Sequence, residues 1–356
     1  MNIDQFDYCL PDNLIAHRPA EPRHSSRLMI IDRASKKVEH RRFWDVKEYL
    51  KEDDLLVFND TRVINARMHG FFAGSFESKL EVLLIEQIST LEWKIICKPA
   101  KKLKLGVEIQ LIGQNNLIKG VIKRIYEDEL RGIEFDKELN LELDGLLPLP
   151  PYIKIPLDDN EKYQTVYSRT LGSIAAPTAG LHFTDELLAE IVSKRIEMVY
   201  LTLHIGLGTF KPVRAKELDK HKMHYEKYEI DNSTLKTINS AKAEGRRIVC
   251  VGTTTVRVLE HLAESGDLEL NGDLRIKGSL SGQTNLFIYP GYKFQVVDAM
   301  ITNFHLPRST LLMLVSAFTE QVYGENEGVR FINECYRIAV EMNYRFYSFG
   351  DAMLIN

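Results

Sequence analysis

Hydrophobic positions along this chain change their period more than once. LMIID at 28–32 and DLLVFND at 54–60 are short continuous apolar runs, the second ending in the polar turn Asn59-Asp60-Thr61-Arg62, and both predict buried strands. Between about 78 and 135 the runs shorten and alternate, as KLEVLLI, WKIICK, VEIQLI, LIKGVIKRI and RGIEF, with Gly, Asn or acidic turns between them. That spacing predicts a small antiparallel β-barrel. LPLPPYIKIP follows as a stiff proline-rich connector. The expected organisation is a β-barrel domain at 66–150, inserted into a core made of 1–65 and 151–356.

Beyond the connector the pattern becomes strand, turn, helix. Thr184 stands where an N-cap belongs, ahead of a helix beginning DELLAEIVSKR with Asp185 and Glu186 in its favourable first turn. RRIVCV runs into Gly252-Thr253-Thr254-Thr255 and then VRVLEHLAESG, a strand, a hydroxyl-rich turn and a helix start whose free N–H groups suit an anionic or polar ligand. VVDAMI leads through TNFHLPRS into TLLMLVSAFTE, with Ser309 as cap, and an amphipathic helix at roughly 328–342 closes the fold. Strands alternating with helices predict an α/β core with a mixed sheet of strand-turn-helix units.

Composition narrows the class. With 356 residues, 44% of them hydrophobic, the chain has material for one large domain and a smaller one. A net charge of −4 and a pI near 6.2 exclude a globally basic nucleic-acid binder, so any polyanion must be met by local patches. Cys9, Cys97, Cys250 and Cys335 form no CxxC pair, which argues against a zinc ribbon or a disulfide framework and fits a reduced cytoplasm. The acidic start MNIDQFDYCLPDN lacks the features of a signal peptide, and the apolar stretch in TLLMLVSAF is too short to span a bilayer. His221 and His224 are three apart with no second ligand pair nearby, so no metal site is expected.

Three histidines carry the candidate chemistry: His182 in PTAGLHFT, His204 in LTLHIGLGTF and His305 in ITNFHLPRST. Each is expected where an apolar strand gives way to a turn of small polar residues, a setting that suits acid/base work near neutrality. Any one of them alone reads more readily as a satisfied core histidine. Three together predict a shared polar pocket. His204-Ile-Gly206-Leu-Gly208-Thr209 contains GxG, but Lys211-Pro212 follows it, which excludes a dinucleotide-binding fingerprint.

Taken together, NDTRVI at 59–64, YQTVYSR at 163–169, APTAGLHFT at 176–184, LHIGLGTF at 203–210, MHYEKYEI at 223–230, VGTTTVR at 251–257, YPGYKFQVVDAMITNFHLPRSTLLMLVSAF at 289–318 and GDAMLI closely resemble the S-adenosylmethionine:tRNA ribosyltransferase-isomerases of queuosine biosynthesis. LPDNLIAHRPAEPRHSSRL extends the resemblance to the start of the chain. Two positions depart from the family pattern, Asn65 in place of proline and Lys227 in place of an aromatic, neither expected to touch an acid or base.

The resemblance implies that S-adenosylmethionine donates its ribosyl carbons to 7-aminomethyl-7-deazaguanine at the wobble position of tRNA with a GUN anticodon, giving epoxyqueuosine, adenine and methionine. It implies no cofactor beyond that cosubstrate, no metal, no membrane partner, and a cytoplasmic monomer. His182, His204 and His305 are then the acid/base candidates, with Asp60 as a further base or sulfonium counter-charge unless it is a turn carboxylate. Arg62 is a candidate for the methionine carboxylate or a phosphate, or for a pair with Asp60. Gly206, Gly208 and Thr209 would line the nucleoside, and Thr253, Thr254 and Thr255 would bond it or cap a helix. Tyr289, Tyr292 and Phe294 would stack on a base or fill core, and Asn303 would orient a sugar hydroxyl. For tRNA phosphates the basic clusters are Lys98, Lys101, Lys102 and Lys104 in the barrel, and Lys211, Arg214, Lys216, Lys220 and Lys222 in the core. A non-catalytic RNA binder would not need the histidine-bearing turns, and an enzyme of free nucleosides would not need the barrel.

Overall fold

The computed structural model describes residues 1–126, 129–206, 217–218, 221, 223–268, 279–323 and 327–356. It divides into two compact units, Met1–Arg62 with Pro151–Thr170 and Ala176–Asn356, and Val63–Pro150 with Leu171–Ala175. The second unit thus begins at Val63 rather than 66 and takes in 171–175, a return that the sequence reading did not include. Its cause is local pairing of the two crossing segments: Ile64 N–H donates to the Ser173 carbonyl at 2.9 Å.

In chain order the strands β1 (Arg27–Asp32), β2 (Lys37–Arg42), β3 (Leu55–Asn59) and β4 (Thr61–Val63) come first. The barrel follows, with β5 (Arg67–Phe72), β6 (Ser75–Gln87), β7 (Glu92–Lys98), β8 (Glu108–Ile112), β9 (Leu117–Ile125) and β10 (Arg131–Phe135), then the short helix α1 (Leu141–Asp144). These six strands close in the order β10-β7-β6-β5-β8-β9, every pairing antiparallel, so no edge is left exposed. The five alternating runs of the sequence are β6 to β10. β5 was not expected, because RMHGFF has no β-branched residue and carries a glycine in its middle. Gly70 is required there: a Cβ would stand 2.2 Å from the Gln110 carbonyl oxygen.

The chain then forms β11 (Thr170–Ser173), α2 (Asp185–Ser193), β12 (Glu197–Leu203), β13 (Glu226–Asp231), α3 (Asn232–Ala243), β14 (Ile248–Val251), α4 (Thr253–Ser265) and β15 (Ser279–Thr284). β16 (Ala299–Asn303), α5 (Thr310–Tyr323), α6 (Glu327–Glu341) and β17 (Ala352–Ile355) complete it. Nine strands make one mixed sheet in the order β15-β13-β12-β3-β14-β16-β17-β1-β2, whose centre, β12-β3-β14-β16, is parallel. β3, β14, β16 and β17 are buried at every position, which explains why their sequences are apolar up to Asn59 at the end of β3 and Thr302 and Asn303 at the end of β16. One face packs Leu56, Phe58, Val251, Ile301 and Leu354 against Phe43 and against Leu187 and Ile191 of α2.

Local signals fixed two helix starts: the Thr184 hydroxyl accepts Leu187 N–H at 3.3 Å, and the Ser309 hydroxyl accepts Leu312 N–H at 3.2 Å. His182 departs from its expectation. It ends a short 3-10 helix, Thr178–His182, rather than a strand, since Pro177 turns the chain and Gly180 lets it press against Tyr167, whose Oη would lie 1.9 Å from an added Cβ. Tyr289, Tyr292 and Phe294 occupy a turn rather than an aromatic strand, with Tyr292 N–H donating to the Tyr289 carbonyl and Gly291 at φ +98°. Among the described residues no helix is long and apolar enough to cross a membrane.

Candidate active site

In open α/β sheets ligands collect outside the carboxyl ends of the parallel strands, where neighbouring connections diverge. Here that place is the end of β3, flanked by β12 on one side and β14 on the other. Asn59, the last residue of β3, is fully buried. Its Oδ1 accepts the Leu203 and Thr61 N–H groups at 3.0 and 3.2 Å, and its Nδ2 donates to the Leu203 carbonyl and the Thr254 hydroxyl at 3.0 and 3.3 Å. One amide therefore ties two strand ends to the start of α4.

The next residues each take a separate partner. Asp60 Oδ1 accepts the Thr202 hydroxyl at 2.7 Å, while Oδ2 accepts Nε and Nη2 of Arg169 at 3.0 and 2.7 Å. The carboxylate side chain is 5% exposed and the guanidinium-bearing side chain 67% exposed, so a buried anion holds a cation out at the rim, beside the Tyr200 ring. Arg62 does not pair with Asp60. It binds Ser168 Oγ at 2.9 Å and the Glu161 carboxylate instead, which leaves it poorly placed as a substrate anchor.

His204 follows β12 directly, and its Nδ1 lies 2.8 Å from Thr61 Oγ1. The Thr61 hydroxyl also points its hydrogen at the Thr170 carbonyl, 3.4 Å away, so its oxygen accepts from Nδ1–H and Nε2 remains the basic nitrogen. The ring is half-buried and borders a hollow of about 350 Å³ shared with Lys227, Glu229, Ser281 and Gln283. Burial lowers its proton affinity, helped by Lys227 and opposed by Asp60 and Glu229. Lys227 thus acts on this histidine, and its carbonyl accepts the His204 N–H at 2.9 Å, contrary to the expectation that this departure touches no acid or base.

The other two histidines are not brought into the same pocket. His182, 4% exposed, is stacked on Phe43 and engaged through both nitrogens, Nδ1 with Ser26 Oγ at 2.8 Å and Nε2 with Asn303 Nδ2 at 3.0 Å. His305 Nε2 meets Thr302 Oγ1 at 2.9 Å, and its backbone is gripped by the hydroxyls of Tyr336 and Tyr8. Thr302 and Asn303 are adjacent on β16 and so face opposite sides of the sheet, which separates these two rings. His204 lies three strand steps away along the edge, about 14 Å. Burial pushes both imidazoles down to about 3, with Arg345 and Arg23 adding to the effect at His182.

Two buried polar atoms at this edge have no hydrogen-bond partner among the described residues: Asn303 Oδ1 and Arg257 Nη2. Arg257, on α4, pairs through Nη1 with Glu226, whose other oxygen accepts Gly206 N–H at 2.9 Å, and through Nε with the Leu286 carbonyl at 3.0 Å. α4 has no side-chain cap, and Gly252 ahead of it adopts φ +92°. Thr253 is buried in its first turn, Thr254 meets Asn59, and Thr255 bonds back to the Val251 and Gly252 carbonyls at 3.1 and 2.6 Å. Tyr292 points its hydroxyl at buried Glu260, 3.4 Å away, and stacks edge-on with Phe294, while Tyr289 packs on Phe287. Lys98, Lys101, Lys102 and Lys104 are all exposed on the barrel. Gly208, Thr209, Lys211, Arg214, Lys216, Lys220 and Lys222 lie outside the described residues. Among those described, no group of three or more His, Cys, Asp or Glu could hold a metal ion.

The family model described as queuosine biosynthesis protein matches residues 3–355. The chain belongs to the queuosine biosynthesis protein family. Proteins named S-adenosylmethionine:tRNA ribosyltransferase-isomerase from Acetivibrio thermocellus and Staphylococcus saprophyticus are 48% and 46% identical to it, each aligned over 100% of both chains. The crystal structure of S-adenosylmethionine tRNA ribosyltransferase from Thermotoga maritima is 36% identical, covers 99% of this chain and 100% of its own, and superposes with a TM-score of 0.54. Within this queuosine biosynthesis family member, two residues of the edge were not singled out from sequence although both end quoted motifs: Arg169 in YQTVYSR and Arg257 in VGTTTVR.

The two buried histidines have a consequence for stability. Each would titrate near 6.5 when unfolded and near 3 when folded, so between those values the unfolded chain takes up protons that the folded chain refuses. Their contribution is intact above pH 6.5 and is lost as pH falls, at about 1.4 kcal/mol per pH unit for each ring. Urea unfolding of the parent and of the His182→Gln/His305→Gln variant across pH 4 to 7 tests this. The variant is expected to lose less stability on acidification, and parallel curves would contradict the burial argument.

Proposed function

We propose that this protein transfers and isomerises the ribosyl group of S-adenosylmethionine onto 7-aminomethyl-7-deazaguanine at the wobble position of tRNA, forming epoxyqueuosine with release of adenine and methionine. Full-length membership of the queuosine biosynthesis family supports the reaction. The observation that carries the site is that NDTR, GTTT, LHIG and TNFH, far apart in sequence, all lie along the carboxyl edge of the parallel centre of one sheet.

The chemistry follows from the sulfonium, which acidifies the adjacent C5′ protons. A base removes one, its electron pair becomes the C4′–C5′ double bond, the C4′–O4′ pair becomes the C1′ aldehyde, and the C1′–N9 pair leaves with adenine, which is protonated. The tRNA amine adds at C4′ of the vinyl sulfonium, and the C5′ ylide so formed closes on the aldehyde. The resulting alkoxide displaces methionine from C5′ to give the epoxide. No electrons are gained or lost from outside, and the positive sulfur supplies the activation, so we include no metal and no further cofactor.

His204 is the acid/base residue in this reading, because its Nε2 is left basic and borders an open hollow. Asp60 serves as the buried counter-charge that fixes Arg169, and Arg169 offers an exposed guanidinium to a tRNA phosphate. The methionine carboxylate is assigned to the uncapped start of α4 with Arg257, replacing Arg62, and a ribose hydroxyl to the unpartnered Asn303 Oδ1. His182 and His305 hold the strand ends that carry these groups. The protein is taken to act as a cytoplasmic monomer on tRNA with a GUN anticodon.

Adenine release is expected to require tRNA bearing the aminomethyl base, since an uncoupled vinyl sulfonium would be lost to water. Following adenine with and without that tRNA tests the coupling, and stoichiometric release without tRNA would overturn it. In the same assay His204→Gln should retain S-adenosylmethionine binding and lose on the order of 10²-fold or more in turnover. A near-parental rate would remove His204 from the chemistry.

The barrel lysines are assigned to tRNA phosphates. Replacing Lys98, Lys101, Lys102 and Lys104 together by alanine should weaken tRNA binding, flatten its dependence on salt and leave S-adenosylmethionine affinity unchanged. An unchanged salt slope would place the docking surface elsewhere.

A further inference from the structure

β13 and β15 extend the central sheet beyond β12, and their side chains alternate strictly: Glu226, Tyr228 and Ile230 are buried while Lys227, Glu229 and Asp231 are exposed. Cross-strand register places Thr202 opposite Glu229, Glu229 opposite Ser281 and Lys227 opposite Gln283. His204, Lys227, Glu229, Ser281 and Gln283 therefore share one face, and Tyr228 and Gly282, paired between them, also border the hollow. The hollow they line, about 350 Å³, is at the small end of the range for ligand sites, and most of the side chains around it are polar. His204, half-buried, stands at one end of it, whereas His182 and His305 are buried, and both Glu229 and Asp60 act electrostatically on the His204 ring.

A base splayed out of an RNA loop is read by hydrogen bonds to its Watson–Crick edge. A carboxylate can only accept. Among the standard bases, only a guanine-type edge presents two adjacent donors, N1–H and the 2-amino group, to two carboxylate oxygens; adenine and cytosine alternate donor with acceptor, and uracil flanks its single donor with acceptors. We propose that this hollow seats the 7-deazaguanine base of the tRNA and that Glu229 determines specificity by accepting its N1–H and 2-amino hydrogens. The base then lies against the sheet with His204 at the inner end, where the aminomethyl nitrogen must lose a proton. The Gln283 amide and Ser281 hydroxyl complete the rim. This assignment rests on the reaction proposed above.

The test pairs a change in the enzyme with a change in the base. Full-length tRNA carrying 7-aminomethyl-7-deazaguanine is compared with tRNA carrying its counterpart without the 2-amino group, using kcat/KM for adenine release. The parent should prefer the first by roughly 10-fold to 100-fold, the scale of a charge-assisted hydrogen bond. In Glu229→Ala the preference should collapse toward unity, while S-adenosylmethionine affinity stays at the parental value. Glu229 is exposed on its strand, so the substitution leaves the core intact. Retention of the parental preference by Glu229→Ala, or equal losses on both tRNAs, overturns the assignment. A parent that releases adenine with neither tRNA contradicts the reaction itself rather than the reading of this hollow.

Discussion

The edge on which everything else stands is held by a single side-chain amide. Asn59 has no exposed atom and replaces the next rung of the parallel ladder, bonding both backbone groups of Leu203 while reaching the first turn of α4. Without it, a buried N–H and a buried carbonyl would be left unpaired, at about 1–3 kcal/mol each. Its position also decides the facing of its neighbours. The strand breaks after Asn59, where Asp60 turns to Thr202 and Arg169 and Thr61 is left to orient His204. A polar residue at the end of an otherwise apolar strand is thus what converts a sheet edge into a site.

Burial then sorts the histidines by task. An imidazole with both nitrogens engaged and no water nearby cannot take up a proton near neutrality, which suits His182 to orienting Asn303 and not to proton transfer. His305 is similarly enclosed by tyrosines. His204 keeps one nitrogen committed to Thr61 and the other toward the hollow, the arrangement that a general base requires.

Features set by neighbouring residues were legible in the sequence, and features set by folding across long separations were not. Thr184 and Ser309 could be read as caps because a hydroxyl and the amide it accepts lie three residues apart. Five barrel strands could be read from their alternation, whereas β5, with Gly70 pressed against another strand, carries no periodic signal. A pair with Asp60 was one of the roles left open for Arg62, and the partner that Asp60 takes lies 109 residues on, at Arg169. Three histidines in similar local settings suggested one pocket, but adjacent positions on β16 send His182 and His305 to opposite faces. Motif resemblance picked out segments that lie along this edge; only the sheet order and the pleat decide which side chains meet.

The most direct measurement follows isotopes from the donor into the RNA. S-adenosylmethionine labelled in the ribosyl carbons, and separately in the methyl group, is incubated with the protein and tRNA carrying the aminomethyl base, and the digested nucleosides are analysed by mass. All the ribosyl carbons are expected to enter the modified nucleoside and no methyl label is, with adenine and methionine appearing in equal amounts. Methyl label in the RNA, or adenine released while the tRNA stays unlabelled, would contradict the proposed reaction.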